Sequence, residues 1–427
     1  MNIEIINTGS ELMLGRVLNT HQQWLCRQLA DRGMVVTRQV AVADTATEIR
    51  EAVREALGRA DLVLVTGGLG PTSDDITRDL IAGLLGKHLH EDATVLARIE
   101  SFFAERKRSM PVSTRVQAMV PESAVVLQNA HGTAPGLVME LNPNPLRSDA
   151  RKSLLVMLPG PPRELRPMFL EQVIPLLHTH FPPESAFVCR TLKTTGLGES
   201  IVEKKISGSL RPLTDAGLEL GYCARVGEVD VRLVARGGRA IEAVAAAENI
   251  IRAAIGSHIY GVDDESLEEI LVRTLTVQKK KVALAESCTG GFVAHRLTNV
   301  PGASAVFLSG LVTYSNEEKI RLLGVPPPTL AEFGAVSRET VRAMAEGARN
   351  RSGADFALAV TGIAGPGGGS SEKPVGTVFI ALATPEKTLV KLFTNRYDRE
   401  TFKFVTSQQA LEMLRQELQP IAVHAGS

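Results

Sequence analysis

The 427-residue chain lacks several features that would place it in a specialised class of protein. Its 47 basic and 47 acidic residues cancel, so it carries no overall charge that attracts nucleic acid or an anionic membrane. No apolar run approaches the roughly 18 residues that span a bilayer, and Met1 to Glu4 lack the basic start of a secretory signal. We therefore expect a soluble, cytoplasmic protein.

Cysteine is scarce, and the cysteines are far apart, at Cys26, Cys189, Cys223 and Cys288. They form no C-x-x-C pair, so neither a disulfide framework nor a zinc site is expected. The nine histidines include no H-E-x-x-H motif. Carboxylates do occur in suitable loops, so any metal is expected to be magnesium held by oxygen atoms.

The length of the chain predicts two or three domains, all of mixed α/β character. Residues 1–177 alternate strands and helices, which predicts a parallel sheet covered on both faces. Residues 186–261 contain one strand pattern and one helix pattern, which predict a small α+β domain. Residues 264–427 begin with the capping-box pattern SLEE at 266–269 and return to α/β alternation.

The segment AESCTGG at 285–291 lies between a predicted strand and a predicted helix. Backbone N–H groups at such a junction can bind an anion or a developing oxyanion. No histidine lies near Cys288 to favour its thiolate, so we interpret it as a packing residue. Ser287 or Thr289 then needs a base, and Tyr314 and Lys319 offer a phenol and an amine. The same spacing also fits a structural alternative, in which Tyr314 ends a strand and Lys319 is a solvated residue of a helix.

Two further segments of the third domain indicate a binding role. The glycine-rich run TGIAGPGGG at 361–369 follows an apolar strand, and it fits either a phosphate-cradling loop or a hairpin connection. Asp398 is placed to cap a helix that carries Arg399 and Lys403 one turn apart. Cations at a helix N-terminus oppose the helix dipole, so we predict an anionic ligand that bridges them.

In the first domain the run TGGLGPTSDD at 66–75 sets glycines after a strand and two carboxylates at a helix start. This order suits a magnesium ion beside a phosphate. Asp74 and Asp75 serve equally well as helix caps on the residues alone.

Five segments of the third domain, in one order, resemble the C-terminal domain of the CinA (competence/damage-inducible protein A) family: AESCTGG, YSNEEK at 314–319, GAVS at 334–337, AVTGIAGPGGG at 359–369 and KPVGTV at 373–378. The resemblance implies a three-layer α/β domain that hydrolyses nicotinamide mononucleotide, without a cofactor, to nicotinic acid mononucleotide and ammonia.

The same resemblance implies roles for single residues. Ser287 is the implied nucleophile, with Lys319 and Tyr314 in base or positioning roles, and Arg399 binds the nucleotide phosphate. Where the family often has a second arginine this chain has Lys403, which keeps the charge without bidentate geometry. Other substrate contacts are expected from Thr289, Gly290, Gly291, Ser304, Gly362, Gly365 and Gly367.

The run TGGLGPTSDD, with TGSELMLG at 8–15, Asp44, GTAPG at 132–136 and LPGPPREL at 158–165, resembles the N-terminal CinA domain. That domain is similar to the three-layer molybdopterin-binding fold of MoaB and MogA. The resemblance implies a metal-dependent ADP-ribose pyrophosphatase that gives AMP and ribose 5-phosphate. It implies metal ligands at Asp44, Asp75 and Glu11. It implies catalytic carboxylates at Asp74 and Asp75. The residues expected to lie beside the phosphates are Gly67, Gly68 and Gly70.

The middle domain resembles the KH-type linker domain of full-length CinA proteins. A KH module that binds RNA needs a G-x-x-G loop, and residues 186–261 contain none, so we expect no direct contact with nucleic acid. The resemblance implies a homodimer with small nucleotides as partners. Two alternatives stay open: the N-terminal domain binds molybdopterin or a nucleotide without turnover, or the protein is a partner in competence or DNA repair.

Overall fold

The computed structural model describes residues 1–182 and 185–418 of the chain. Residues 419–427, which the sequence analysis assigns to the third domain, lie outside the described residues. The chain divides into two units, Met1–Val188 and Cys189–Ser427. Among the described residues, no helix is both long and apolar enough to cross a bilayer.

The first unit is built on a six-stranded sheet with the strand order β2-β1-β3-β8-β7-β6. The strands of this unit are β1 (Ile3–Thr8), β2 (Arg38–Val42), β3 (Leu62–Thr66), β4 (Leu89–Glu91), β5 (Met119–Pro121), β6 (Val125–Leu127), β7 (Gly136–Leu141) and β8 (Ser153–Leu158). Strands β4 and β5 form a separate two-stranded sheet. The α-helices of this unit are α1 (Ser10–Met13), α2 (Thr20–Ala30), α3 (Ala46–Leu57), α4 (Thr77–Leu84), α5 (Ala93–Glu105), α6 (Pro162–Met168) and α7 (Ile174–His180).

This sheet is mixed, which corrects the prediction of a parallel sheet. Strands β2, β1, β3 and β8 are parallel neighbours, but β7 runs antiparallel to β8, and β6 runs antiparallel to β7. Parallel neighbours need a crossover connection of a dozen or more residues. The links between β6, β7 and β8 carry no helix, so these strands turn back on one another.

Both faces of the sheet are covered, as the alternation of strands and helices predicts. Strand β3 is buried along its whole length. Val63 and Val65 belong to a core that includes α3, whereas Leu62 and Leu64 belong to a core that includes α2. Because successive side chains of a strand point to opposite faces, this apolar run is typical of a central strand with helices on both sides.

The second unit begins with a four-stranded sheet, in the order β10-β11-β9-β12, on which two helices lie. Its strands are β9 (Phe187–Thr195), β10 (Glu219–Arg225), β11 (Glu228–Arg236) and β12 (Ile259–Val262), and its helices are α8 (Glu199–Asp215) and α9 (Ala240–Ile255). The sequence patterns identified β11 and α9, and the structure adds the other elements.

The second unit continues with a five-stranded sheet in the order β14-β13-β15-β16-β17. Strands β13, β14 and β15 are parallel, whereas β16 and β17 are antiparallel to their neighbours. The strands are β13 (Val282–Glu286), β14 (Phe307–Val312), β15 (Phe356–Gly362), β16 (Thr377–Ala383) and β17 (Thr388–Thr394). The helices are α10 (Leu267–Gln278), α11 (Phe292–Thr298), α12 (Asn316–Leu323), α13 (Pro327–Phe333), α14 (Arg338–Ser352) and α15 (Arg399–Glu417).

The two faces of this sheet differ in side-chain size. Alanines at alternate positions of β13, β15 and β16 face a core with α14, and leucine, valine and isoleucine face a core with α11 and α15. Small side chains allow close packing of α14, whose Gly347 lies against the carbonyl oxygen of Leu323 at the end of α12. Helix α12 is thereby fixed beside the sheet.

We predict opposite effects of adding one methyl group at two helical glycines. A Cβ at Gly347 would lie 1.8 Å from the carbonyl oxygen of Leu323, so Gly347→Ala should lower the free energy of unfolding by about 1–3 kcal/mol. A Cβ at Gly208 in α8 meets nothing within 4 Å, so Gly208→Ala should raise it by about 0.5–1 kcal/mol. Urea unfolding of the two variants measures both, and equal effects would contradict this packing.

Candidate functional site

Three strand ends of the second unit meet at one edge of the five-stranded sheet. Strands β13, β14 and β15 are parallel, and their registers pair Glu286 with both Val312 and Val360. The N–H of Ser287 continues this ladder and donates to the carbonyl oxygen of Val360 at 3.0 Å. Segments that follow these strands therefore converge, and such an edge is where α/β folds bind ligands.

Lys319 is buried at this edge, with 1% of its surface exposed. Its Nζ lies 3.2 Å from Ser287 Oγ, 2.8 Å from the carbonyl oxygen of Thr313 and 3.5 Å from that of Tyr314. Burial lowers the pKa of the amine from its ordinary value. The interpretation of Lys319 as a solvated surface residue is therefore wrong, and the structure brings it together with Ser287.

The carbonyl groups around Lys319 direct its lone pair. A neutral amine has two N–H bonds and one lone pair, and the carbonyl oxygens of Thr313 and Tyr314 can each accept one N–H. The remaining neighbour is Ser287 Oγ, which the lone pair of a neutral amine would face. This geometry fits a serine activated by a neighbouring amine, an arrangement that needs no histidine.

Tyr314 and Arg399 form a second group at the same edge. The guanidinium of Arg399 donates to Tyr314 Oη at 2.7 Å and to the carbonyl oxygen of Gly365 at 3.0 Å. Asp398 caps α15 by accepting from the N–H groups of Glu400 and Thr401, as predicted, and its hydrogen bond from the Thr401 hydroxyl is the main cause that lowers its pKa. Tyr314 is exposed and bound to Arg399, which fits a positioning role better than that of a base.

The helix start after AESCTGG is already occupied by a carboxylate. The N–H groups of Gly291, Val293 and Ala294 donate to Glu286, which is 1% exposed. The prediction that these amides bind a ligand anion is therefore wrong for all three. Of the turn residues after Ser287, the N–H of Gly290 donates to Ser287 O. Cys288 and Thr289 are left to supply donors near the hydroxyl.

One predicted contact residue is not brought to this edge. Ser304 lies on a short 3-10 turn that precedes β14, so the length of that parallel strand separates it from Ser287, and we remove it from the site. Thr289 is fully buried, and its Oγ1 has no partner among the described residues, so its contact with a substrate stays a prediction. Cys288 packs in the core, where burial raises its pKa to about 12, consistent with a structural role.

The glycines and Lys403 take positions around the serine. Gly290 and Gly291 have φ of 62° and 93°, a conformation that favours glycine, and a Cβ on Gly290 would lie 4.0 Å from Lys403 Nζ. Gly362 is the last residue of β15 and pairs with Val378 of antiparallel β16, and Gly365 lies in the connection between these strands, so this run is a hairpin connection. Gly365 still contacts Arg399, and Gly367 lies in the exposed part of the same loop.

The first unit contains a cavity of about 390 Å³ at the ends of its parallel strands. The predicted residues of the N-terminal site all line it: Glu11, Asp44, Gly67, Gly68, Gly70, Asp74 and Asp75. Gly67 and Gly68 have φ of 98° and 67°, and a Cβ on Gly68 would lie 1.9 Å from Thr77 Oγ1, so only glycine fits there. The structure thus assembles this set from three separate segments.

The carboxylates of this cavity are partly engaged with their own loops. Asp75 accepts from the N–H and hydroxyl of Thr72, at 2.9 and 2.5 Å, and Asp44 accepts from the N–H of Ser10 at 2.7 Å. The hydroxyl of Thr72 is also the main cause that lowers the pKa of Asp74. The interpretation of Asp74 and Asp75 as helix caps is wrong, because the N-cap of α4 is Ile76 and no side chain caps that helix.

A magnesium ion fits this cavity as a companion of phosphate. Residues 1–182 and 185–418 contain no ready group of three or more His, Cys, Asp or Glu side chains placed to hold a metal. The donors are nevertheless oxygen atoms, and magnesium is usually held by one or two carboxylates plus substrate phosphates. Among the described residues that line the cavity, none is basic, so a bound phosphate has no protein cation to neutralise it.

Two cavity residues were not identified from the sequence. Gln117 comes from a 3-10 segment, Val112–Ala118, and Glu164 comes from α6. Glu164 lies inside the quoted LPGPPREL segment, but no spacing rule marks it as a ligand contact. Gln117 has no sequence signal that distinguishes it from other glutamines.

Family models match three successive parts of the chain. They are the probable molybdopterin binding domain at residues 4–179, the KH domain of damage-inducible protein CinA at 189–261 and the CinA C-terminal domain at 264–418. These matches confirm the predicted fold classes of the three parts.

Individual relatives match over their full length. A CinA-like protein of Akkermansia muciniphila is 45% identical over 96% of this chain and 96% of its own, and one of Kosmotoga olearia is 40% identical over 99% and 100%. The crystal structure of a competence/damage inducible protein from Agrobacterium tumefaciens is 47% identical, covers 35% of this chain and 95% of its own, and has a TM-score of 0.33.

We predict that Glu286 stabilises the serine loop through its three N–H contacts. Glu286→Gln removes the charge from a buried acceptor of hydrogen bonds, so the free energy of unfolding should fall by about 1–3 kcal/mol. Glu332→Gln, on α13 with an exposed side chain, is the matched control and should change it by less than about 0.5 kcal/mol. Urea unfolding of both variants tests this, and equal losses would contradict the role of Glu286.

Proposed function

This chain belongs to the CinA family over its full length, and on that premise we propose that it hydrolyses by-products of pyridine nucleotides at two sites. At the edge that carries Ser287, it deamidates nicotinamide mononucleotide. In the cavity of the first unit, it cleaves ADP-ribose. The observation that carries the proposal is the buried amine of Lys319, 3.2 Å from Ser287 Oγ.

The deamidation follows from the chemistry of this pair. Ser287 Oγ attacks the carboxamide carbon while its proton moves to Lys319 Nζ, and the carbonyl oxygen becomes an oxyanion. The C–N bond then breaks, and the amide nitrogen leaves as ammonia with the proton from Lys319. Water hydrolyses the resulting ester by the same proton transfers in reverse, which releases nicotinic acid mononucleotide and restores the hydroxyl.

The surrounding groups supply binding and charge stabilisation. We assign the backbone N–H groups of Cys288 and Thr289 to the oxyanion, because those of Gly291, Val293 and Ala294 are held by Glu286. Arg399 and Lys403, one turn apart at the start of α15, bind the nucleotide phosphate. The positively charged pyridinium withdraws electrons from the carboxamide and makes its carbon easier to attack.

For the first unit, we propose that the glycine loop 67–70 receives the diphosphate of ADP-ribose. Asp44 and Asp75, with Glu11, would hold magnesium together with the phosphates, and the metal would neutralise charge and lower the pKa of the attacking water. Asp74 and Asp75 would orient a water molecule toward the diphosphate, and one of the two carboxylates would accept its proton. Cleavage of the diphosphate then gives AMP and ribose 5-phosphate.

We predict that Ser287→Ala abolishes ammonia release from nicotinamide mononucleotide, with a loss of at least about 10³-fold in kcat/KM. The matched control, Ser352→Ala at the end of α14, should retain the rate. A coupled ammonia assay on the full chain measures both. Near-normal turnover by Ser287→Ala would remove Ser287 from the nucleophile role.

We predict that the deamidation rate rises with pH as Lys319 loses its proton. Because burial lowers the pKa of Lys319, the midpoint of this rise in kcat/KM should lie below the ordinary lysine value of about 10.4. Lys319→Arg should lose activity across the range, since arginine stays protonated, whereas Lys391→Arg on β17 should keep the profile. A midpoint at the ordinary lysine value would contradict a buried base.

We predict that Asp75→Asn reduces ADP-ribose cleavage by about 10²-fold or more while ammonia release is unchanged. Asp79→Asn, on α4 and outside the cavity lining, is the matched control. AMP formation is measured with and without magnesium. Retention of ADP-ribose without AMP in the wild type would favour the alternative of a non-catalytic binding module.

A further inference from the structure

The cavity of the first unit has a buried hydrogen-bond acceptor without a partner. Gln117 lines the cavity with 2% of its surface exposed. Its Nε2 donates to the carbonyl oxygen of Leu69 at 3.3 Å, which fixes the orientation of the amide, because the reverse orientation would set two oxygen atoms against each other. Its Oε1 has no hydrogen-bond partner among the described residues. A buried acceptor of this kind is costly unless a ligand satisfies it.

Glu164 adds a second acceptor to the same cavity. It is 7% exposed, and its Oε2 accepts from Asn129 Nδ2 at 2.8 Å. Its Oε1 lies 3.8 Å from the guanidinium of the exposed Arg163, which is beyond hydrogen-bond distance. A Cβ on Gly132 would lie 2.1 Å from Oε2, so the backbone of that loop lies flat against the carboxylate and holds it in place.

The two acceptors differ in chemistry from the glycine loop that lines the same cavity, and Gln117 is hydrogen-bonded to that loop at Leu69. The N–H of Gly67 already donates to the carbonyl oxygen of Leu158, so the loop offers the backbone of Gly68–Gly70 to an anion, whereas Gln117 and Glu164 require a ligand that donates hydrogen bonds. A ligand that satisfies both kinds of group carries a phosphate and, near it, hydroxyl groups. A phosphorylated sugar has this composition.

We infer that Gln117 and Glu164 accept hydrogen bonds from the hydroxyl groups of a ribose whose phosphate lies at the glycine loop. The two side chains thus determine specificity, because they distinguish a ribose phosphate from phosphate alone and from a deoxyribose phosphate. The choice of a ribose among hydroxylated groups rests on the proposed function. The need for a hydroxyl donor rests on the cavity itself.

The test measures binding by calorimetry with three probes: ribose 5-phosphate, 2-deoxyribose 5-phosphate and inorganic phosphate. All proteins are full chains with Arg399→Ala, which removes the proposed phosphate contact at the Ser287 edge. Gln117→Met deletes one acceptor, and Glu164→Gln turns a carboxylate oxygen into an N–H donor. Gln172→Met is the matched control, because Gln172 pairs with the backbone of Gln128 and does not line the cavity.

In the parent chain, ribose 5-phosphate should bind about tenfold more tightly than the deoxy sugar, as expected for one lost hydrogen bond to a buried acceptor. At least one of the two cavity variants should reduce this ratio below about threefold without changing the affinity for inorganic phosphate. Gln172→Met should keep the ratio.

Equal binding of the two sugars by the parent chain would overturn the inference, as would a ratio that survives in both variants. Thermal unfolding shows whether Gln117→Met folds. If it does not, the sugar preferences of the parent chain and of Glu164→Gln still test the inference. Turnover is scored separately: a tenfold preference without AMP formation from ADP-ribose would refute the proposed pyrophosphatase and leave the inference standing. AMP formation from ADP-ribose by a chain that binds the two sugars equally would refute the inference and leave the proposed pyrophosphatase standing.

Discussion

The burial of one amine is the constraint on which the proposed chemistry of the second unit depends. Lys319 Nζ meets a hydroxyl and two carbonyl oxygens at the site, and removal of a charged ammonium from water is costly unless a counter-ion accompanies it. Burial therefore lowers the pKa of Lys319, and its Nζ lies beside Ser287 Oγ. This requires that the ends of β13 and β14 stay in register, so the sheet and its tightly packed alanine face are prerequisites of reactivity.

Tyr314 connects the reactive pair to the predicted phosphate site. Its carbonyl oxygen faces Lys319, and its hydroxyl accepts from Arg399, which also donates to the loop at Gly365. Glu286 holds the start of α11 on the other side of the serine. Hence the proposed base, the proposed nucleophile and the arginine proposed to bind phosphate are joined by short contacts, and movement of one element would disturb the others.

Periodicity in the sequence indicates some elements, such as α3 at Ala46–Leu57, whose apolar residues repeat at helical spacing. It does not secure all of them, because α8 also has apolar residues at helical spacing, at Val202, Ile206 and Leu210, and was missed. Strands β9, β10 and β17, and helices α8 and α13, were not identified. The burial of Lys319 could not be predicted, since it depends on the position of α12 against the sheet. Ser304 was misplaced because the resemblance carries no information about which end of β14 it occupies.

The charges of the two sites differ in a way that matches their proposed substrates. Acidic side chains, and no basic ones, line the described part of the cavity in the first unit, so the proposed diphosphate substrate is expected to need a cation. At the edge of the second unit, Arg399 and Lys403 are themselves cations, and the proposed monophosphate substrate is expected to need no metal there. Both proposed sites lie at the ends of parallel strands, so the need for a metal follows from the local charge rather than from the fold. We therefore expect removal of metal to stop ADP-ribose cleavage and to leave ammonia release unchanged.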